Sequence, residues 1–261
     1  MENVSSGNNG LKSLQDRLYK MLIELDDFCR SNNINYTICC GSALGAYRHQ
    51  GFIPWDDDLD IAMDIKEYRR FCRLLAEKPT KNLRLQTHET DNLYLNRYAK
   101  VRDANSIDYE TGIKIEYENR GCFIDVFPLE YSSPILNSLY HIIHRPLFAL
   151  CKIPLHKYSL LRKIAHAYYK FCGGVIVLFR FLSKLLPVCY SYSYGCNIYA
   201  YRFPYKKEWF DKVSFLRFNQ KEFPVPGDVE AYLTVEYGAD YMTLPPEEKR
   251  LSYHTDKIDL F

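Results

Sequence analysis

Apolar side chains recur at helical spacing in two segments near the start of the chain. Over residues 11–30 they return at steps of three and four, which is the period of a helix with one buried face. The same period recurs over 65–78, where Asp64 stands in the position of a helix cap. Apolar runs at 35–40 and 58–63 predict strands. A turn at Gly41 and Ser42 leads into a short helix over 43–49 that Ser42 could cap.

Further strand-like segments alternate with turn residues in the next part of the chain. They cover residues 82–87, 93–102, 112–117 and 121–129. A mostly helical pattern follows over 131–207, and another helix is predicted over 226–238, with a proline near its start and a glycine at its close. This order of elements predicts an α+β fold with a mixed sheet flanked by helices, interrupted by a helical insertion.

Carboxylates cluster where the second predicted strand begins, at Asp56, Asp57, Asp58 and Asp60. Side chains of a strand alternate between its two faces, so the apolar residues from Leu59 to Met63 would face the core, and Asp58 and Asp60 would share the opposite face. Two adjacent carboxylates repel each other unless a divalent cation lies between them, and oxygen ligands suit Mg²⁺. The pattern therefore predicts a metal-binding pair, with Asp57 on the wrong parity to join it.

Two other features fit the same chemistry. Asp125 lies among apolar residues of a later strand, where an unpaired charge is costly, so it is the candidate third carboxylate. The helix that begins after Gly41 and Ser42 has free backbone N–H groups, which attract phosphate. A phosphate cradle beside a metal pair suits phosphoryl or nucleotidyl transfer.

Two other interpretations of the acidic cluster do not involve phosphate chemistry. It could be a solvated acidic turn, and the pattern alone leaves this open. The spacing also resembles a calcium-binding EF-hand loop, but that loop needs glycine where this chain has Ile61. A β-branched residue resists the backbone conformation required there, so the EF-hand is disfavoured.

Charge is distributed unevenly along a chain of ordinary globular composition. Residues 131–207 contain eleven Lys or Arg and no acidic residue, and the remainder holds 23 basic and 32 acidic residues. This split predicts that one region meets something anionic. The uncharged run 171–179 is too short to span a bilayer. The stretch could lie on an anionic membrane surface, or it could be a helical cover over the site, and both remain open.

Composition also bears on partners and compartment. The nine cysteines lack the C-x-x-C spacing of zinc sites, and the polar first ten residues lack the apolar segment of a signal peptide. We therefore expect reduced cysteines in a cytoplasmic protein, with peripheral contact at the inner face of the membrane as an option. The basic stretch is apolar rather than a solvated stripe, so nucleic-acid binding is disfavoured.

Several segments together resemble one protein family. Residues 41–63, "GSALGAYRHQGFIPWDDDLDIAM", resemble the signature of the LicD family nearly residue by residue. "CFIDVFPLE" resembles its second motif, with mild departures at Val126 and Glu130. "YAKVRDANS" resembles a Lys-x-Arg segment of the family, and residues 223–254 resemble its C-terminal motif with a late histidine. The resemblance spans about residues 30–130 and 220–255 and omits the acid-free stretch.

The resemblance implies a metal-dependent transferase related to polymerase-β-like nucleotidyltransferases. Such enzymes move phosphocholine or another phospho-alcohol from a CDP-activated donor to a sugar hydroxyl of a glycan or lipid-linked oligosaccharide, with Mg²⁺ or Mn²⁺, and release CMP. Two alternatives remain, an NTP-dependent nucleotidyltransferase that releases pyrophosphate and a non-catalytic partner in a glycan-assembly complex. The expected organisation is a disordered tail over 1–10, a nucleotidyltransferase-like core over 11–130, a basic, aromatic-rich helical insertion over 131–207 and the rest of the catalytic domain over 208–261.

Family roles can be carried over by position to this sequence. Asp58 and Asp60 would hold the metal, with Asp125 as third ligand or base. The residues implied in donor or substrate binding are Gly41, Ser42, Arg48, Lys100, Arg102 and His254.

Overall fold

The computed structural model describes residues 2–3, 8–196, 204–252 and 254–261. In chain order, the elements are β1 (Glu2–Asn3), α1 (Asn8–Ser31), β2 (Thr37–Ile38), α2 (Cys40–His49), β3 (Asp60–Asp64), α3 (Ile65–Glu77), β4 (Leu83–Gln86), β5 (Ala99–Asp103), β6 (Ser106–Glu110), β7 (Phe123–Ser132), α4 (Pro134–Cys151), α5 (Ser159–Leu182), β8 (Cys189–Tyr192), α6 (Glu208–Asp211), β9 (Ser214–Phe218), β10 (Lys221–Val225), α7 (Val229–Tyr237) and β11 (Thr255–Leu260). Helices flank a mixed sheet, which confirms the α+β prediction.

The central sheet has the strand order β2-β3-β7-β5-β4. β3 and β7 run parallel, with Asp60 opposite Asp125, and the other neighbours are antiparallel. The ten-residue β7 pairs with β5 along its first part and with β8 along its last four residues. One strand thus connects the middle of the sheet to the start of the helical insertion.

One face of this sheet is covered by the long N-terminal helix. Leu14, Leu18, Met21, Leu22 and Leu25 of α1 are buried at the predicted helical spacing. They pack with Leu59, Ile61 and Met63, which confirms that the apolar parity of the acidic segment faces the core. Ala62, of the other parity, belongs to a second cluster on the opposite face, with α7 and β8.

The helix caps agree with the sequence in one case and not in another. The Asp64 side chain accepts a hydrogen bond from the Lys66 N–H at 2.9 Å and caps α3 as predicted. α2, however, begins at Cys40, so the prediction that Ser42 caps it is wrong. Ser42 lies inside the first turn, and its Oγ accepts a hydrogen bond from the Asp60 N–H at 2.9 Å.

Some strand predictions differ from the structure. Residues 112–117 are irregular rather than a strand, and the strand in this region is β6, which the pattern did not predict. β6 pairs with β11, which in turn pairs with Glu2–Asn3, within the segment where the sequence predicts a disordered tail. β6 pairs with a strand from the far end of the chain, so local spacing could not indicate it.

The acid-free stretch folds largely as a helical hairpin. α4 and α5 enclose an apolar cluster with Tyr94, Leu95 and Tyr117. The Arg180 guanidinium of α5 donates two hydrogen bonds, of 2.8 and 2.9 Å, to the Glu130 carboxylate of β7 and so fixes the hairpin to the sheet. In the part of the chain that the structure describes, no helix is both long and apolar enough to cross a membrane.

We expect Gly121→Ala to lower the free energy of unfolding by about 1–3 kcal/mol or more, because a Cβ there would lie 1.8 Å from the Asp103 carbonyl oxygen. Gly174→Ala is the control. Nothing lies within 4 Å of a Cβ at this position in α5, and the change should stabilise the helix by about 0.5–1 kcal/mol. Denaturant titration measures both, and equal stability of the two variants would contradict the close approach.

Candidate active site

Three neighbouring strands place a row of charged side chains on one face of the sheet. Asp60 of β3 is in register with Asp125 of β7, and Asp125 is in register with Lys100 of β5. Adjacent strands are about 4.8 Å apart, and residues opposite one another point to the same face. The Lys100 ammonium lies 3.8 Å from Asp125 Oδ1. The fold thus brings together three residues that are separated by up to 65 positions in the sequence.

These side chains face a cavity of about 670 Å³, which is within the range of small-molecule sites. Asp58 and His254 also line it, so the cavity gathers five of the nine predicted site residues. Its aromatic wall includes Tyr98, Phe123 and Phe127. The far wall belongs to the insertion, through Phe148, Cys151 and Lys152 at the end of α4.

Burial makes this carboxylate group electrostatically unusual. Burial, with Asp58 and then Cys40 and Asp125 adding repulsion, raises the pKa of Asp60 well above its ordinary value. Burial also raises the pKa of Asp125 to about 6, a rise that Lys100 limits and Asp58 increases. The pKa of Asp58 is raised too, mainly by burial, although His254 opposes the shift. A cation among these groups would relieve the repulsion.

Lys100 is held by a partner that the sequence did not indicate. Its ammonium donates to Glu110 of β6 at 2.7 Å and lies 3.0 Å from the centroid of the Phe123 ring. Burial alone would raise the pKa of Glu110, yet Arg102 and Lys100 hold it at about 2. Glu110 is therefore ionised and fixes Lys100 at the cavity wall. It comes from a strand that was not predicted, so no sequence signal identified it.

Four of the predicted site residues, Gly41, Ser42, Arg48 and Arg102, do not line the cavity, and both arginines are engaged elsewhere. Arg102 is fully buried and donates to Glu110, to the Gln86 side chain and to the Gly121 carbonyl oxygen, so its role here is to hold β4, β5 and β6 together. The Arg48 guanidinium donates to the Tyr241 carbonyl oxygen at 2.7 Å and holds the segment after α7.

Gly41 and Ser42 form the first turn of α2, beside the acidic cluster. A Cβ on Gly41 would lie 2.9 Å from Asp56 Oδ2, so the carboxylate of Asp56 approaches the helix start directly. Burial, and then repulsion from Asp58 and Asp57, raises the pKa of Asp56 well above its ordinary value. The start of α2 therefore lies beside the acidic cluster. The Ser42 hydroxyl oxygen joins it to β3 by accepting a hydrogen bond from the Asp60 N–H.

A buried tyrosine network supports the same helix start from behind. The Tyr232 hydroxyl accepts a hydrogen bond from the Cys40 N–H at 2.9 Å and donates to Glu236 at 3.1 Å. Tyr192 and Tyr205 also donate to Glu236. Cys40 has a left-handed φ of 48°, which is costly for a residue with a side chain. The network holds that conformation, and no sequence signal indicated it.

Asp57, which the sequence made the least favoured metal ligand, connects the acidic segment to the last strand. Its Oδ2 accepts hydrogen bonds from the His254 and Thr255 N–H groups, both at 2.9 Å. Its Oδ1 lies 3.1 Å from His254 Nδ1, which is also 3.3 Å from Asp58 Oδ2. Burial would raise the pKa of Asp57, but these hydrogen bonds lower it. Asp57 therefore positions His254 at the cavity.

The carboxylates of the site match a metal ion in ligand type but not in arrangement. The three carboxylates are chemically suited to a hard divalent cation, and Asp125 Oδ1 is buried without a hydrogen-bond partner. In the described residues, however, no group of three or more His, Cys, Asp or Glu side chains is arranged to hold a metal ion. The ligand types fit, and their side chains would have to turn to coordinate one ion together.

Comparison with known proteins identifies related sequences. Residues 33–165 match the LicD/FKTN/FKRP nucleotidyltransferase domain family. The chain is 28% identical over 243 residues to the lipopolysaccharide cholinephosphotransferase LicD of Haemophilus influenzae, covering 87% of this chain and 89% of that protein. Shorter matches of 42% identity over 60 residues and 47% over 55 residues join it to uncharacterized proteins of Rickettsia typhi and Rickettsia prowazekii.

We expect the imidazole of His254 to titrate well above its ordinary pKa of 6.5. The hydrogen bond to Asp57, followed by the charges of Asp58 and Asp57, raises the pKa of His254 to about 9 against the opposing effect of burial. Because the folded-state pKa is the higher one, this interaction stabilises the fold fully below pH 6.5, and its contribution is lost as the pH rises towards 9. Proton NMR titration with a chelator present measures the pKa.

Asp57→Asn should bring the pKa of His254 down towards 6.5, because the charged hydrogen-bond partner is gone. Asp16→Asn, on the exposed face of α1, removes a carboxylate elsewhere and should leave the titration unchanged. An unmodified protein in which His254 titrates near 6.5 would show that the pairing with Asp57 is not formed in solution.

Proposed function

Because the chain belongs to the LicD family, we propose that it transfers a phospho-alcohol, with phosphocholine as the first candidate, from a CDP-activated donor to a sugar hydroxyl of a cell-surface glycan or its lipid-linked precursor. The observation that carries this proposal is the row of Asp60, Asp125 and Lys100 across β3, β7 and β5, beside Asp58, at one cavity. The name of the Haemophilus relative, which covers most of both chains, supports phosphocholine and a lipopolysaccharide acceptor.

The carboxylates give the site its chemistry. Asp58, Asp60 and Asp125 would hold a divalent cation, Mg²⁺ or Mn²⁺, which when bound screens the charge of a diphosphate and favours ionisation of an attacking hydroxyl. The support for this is the buried, mutually repelling set of acids and the buried Asp125 Oδ1, which accepts no hydrogen bond. Lys100, fixed by Glu110, adds a positive charge on the side of the row away from Asp60.

The proposed reaction is a single displacement at phosphorus. The oxygen of the acceptor hydroxyl attacks the phosphorus atom that carries the alcohol, the anhydride bond to the second phosphate breaks, and CMP leaves. A carboxylate of the site takes the proton of the hydroxyl. The start of α2, which contributes Cys40 to the cavity wall, would bind the donor phosphates through the backbone N–H groups of Gly41 and Ser42, and Tyr98 and Phe127 would provide an aromatic wall for the alcohol.

The acceptor and the place of the reaction follow from the same proposal. A lipid-linked glycan precursor is assembled at a membrane, so the reaction would take place at the inner face of the cytoplasmic membrane. The cavity wall formed by the end of α4 brings the insertion next to the reacting groups. This arrangement is consistent with an acceptor that reaches the cavity from the side of the insertion.

Asp58→Asn and Asp60→Asn should each reduce transfer by roughly a thousandfold or more, because each removes one charged oxygen ligand from the site. Melting temperatures should stay equal or rise, since a source of buried repulsion is removed. Transfer is measured as labelled choline incorporated from CDP-choline into lipopolysaccharide with Mg²⁺. Asp16→Asn is the control and should keep full activity. Near-normal turnover of either site variant would refute the assignment.

CDP-linked alcohols should raise the melting temperature of the native protein when Mg²⁺ is present. A ligand at a hundred times its Kd stabilises the fold by about 2.7 kcal/mol, so a screen of CDP-choline, CDP-ethanolamine, CDP-ribitol and CDP-glycerol ranks the donors. The shift should shrink with Asp60→Asn. A shift with CTP and none with any CDP-alcohol would favour the nucleotidyltransferase alternative instead.

Product analysis separates the proposed reaction from its rival. Transfer of a phospho-alcohol releases CMP, whereas a nucleotidyltransferase that uses CTP releases pyrophosphate. Pyrophosphate without CMP, formed from CTP and a phospho-alcohol, would overturn the proposal.

A further inference from the structure

The hairpin of α4 and α5 carries exposed apolar side chains along its outer side. In and just beyond α5, alternating steps of four and three lead through Leu160, Ile164, Ala167, Phe171, Gly174, Leu178, Phe181 and Leu185. The six large side chains among these residues are between 52% and 77% exposed. We call this row the α5 stripe. Ile135, Leu139 and Ile142 form a similar exposed row on α4.

This pattern is the reverse of an ordinary surface helix. The face of α5 that packs on the protein is also apolar, with Ala165, Cys172, Ile176 and Phe179 buried. The α5 stripe is therefore a second apolar face, not needed for the fold. A helix of this length is about 36 Å long, so the stripe is far larger than a scattered exposed leucine.

Basic side chains border the stripe. Lys163 and Lys170 are exposed and seven residues apart, which places them on nearly the same side of the helix. Each comes directly before a stripe residue, Ile164 or Phe171, and so lies about 100° around the helix from it. Lys184 stands before Leu185 in the same way. Residues 131–207 contain no acid to neutralise them.

We propose that the α5 stripe docks on the surface of an anionic phospholipid bilayer, with its apolar residues in the interface and its lysines at the headgroups. Apolar faces of amphipathic helices insert into that boundary, and bordering lysines bind acidic lipids. A second copy of the hairpin is a poor occupant, because its lysines would meet lysines with no carboxylate to pair them. The charge of the stripe thus selects the bilayer.

The docking surface and the cavity are parts of one rigid arrangement. α4 lines the cavity through Phe148, Cys151 and Lys152, and α5 is joined to β7 by Arg180 and Glu130. A protein docked through this hairpin would hold its cavity near the headgroup layer, where a lipid-linked acceptor lies. The purpose of docking therefore rests on the proposed function, whereas docking itself is measured without any substrate.

The test is flotation of the purified protein with vesicles of phosphatidylcholine alone or with about one third phosphatidylglycerol. The native protein should float with the anionic vesicles at low salt and less at high salt, because salt screens the lysines. Phe171→Ser/Phe181→Ser should weaken binding roughly tenfold or more, and so should Lys163→Gln/Lys170→Gln.

Each variant has a matched control outside the hairpin. Phe215→Ser/Phe261→Ser removes two phenylalanines that are 50% and 73% exposed, and Lys78→Gln/Lys81→Gln removes two exposed lysines in the segment that follows α3. Both controls should float like the native protein. Circular dichroism spectra checked for all variants separate loss of binding from loss of folding.

Several outcomes would overturn the docking surface. These are failure of the native protein to float with anionic vesicles at low salt, equal binding by the stripe variants, or equal loss in the controls. A concentration-dependent dimer in analytical ultracentrifugation that Phe171→Ser/Phe181→Ser abolishes would assign the stripe to a second copy instead. Asp60→Asn should float normally, so failure of the transfer chemistry would leave the docking result intact.

Discussion

Two carboxyl groups held side by side in a buried place are the constraint on which the site depends. β3 and β7 run parallel, and their register places Asp60 directly opposite Asp125. The apolar parity of both strands is packed against α1, and this prevents either strand from shifting by one residue. Packing energy on one face of the sheet therefore maintains electrostatic repulsion on the other. The free energy of burying the apolar core therefore offsets the cost of holding these two carboxyl groups together.

Around this pair, three further acidic residues hold other parts of the site in place. Glu110 fixes Lys100, Asp57 fixes His254, and Glu236 with its tyrosines fixes the start of α2. None of these three acids needs to touch a substrate for its loss to matter. Each also comes from a different region of the chain, so the site is an assembly of β6, the acidic segment and α7 rather than a single motif.

The sequence predicted well whatever depends on neighbouring residues. Helical periodicity gave α1 and α3, the Asp64 cap followed from local chemistry, and strand alternation placed Leu59 and Ile61 in the core. It failed where distant segments meet. β6 owes its place to β11, nearly 150 residues away, and the expected strand over 112–117 lacks such a partner. Arg102 was predicted to bind phosphate because its segment resembles the Lys-x-Arg motif of the family, yet only the fold shows that its side chain is fully buried.

The double pairing of β7 has a mechanical consequence. Asp125 and Glu130 lie on the same strand, and both edges of that strand are hydrogen-bonded, so it can neither slide nor bend independently of the sheet. Arg180 of α5 is joined to Glu130 by two hydrogen bonds, and Glu130 lies five residues from Asp125 on the same strand. The orientation of the insertion on another surface would thus set the direction from which a reactant approaches the acids.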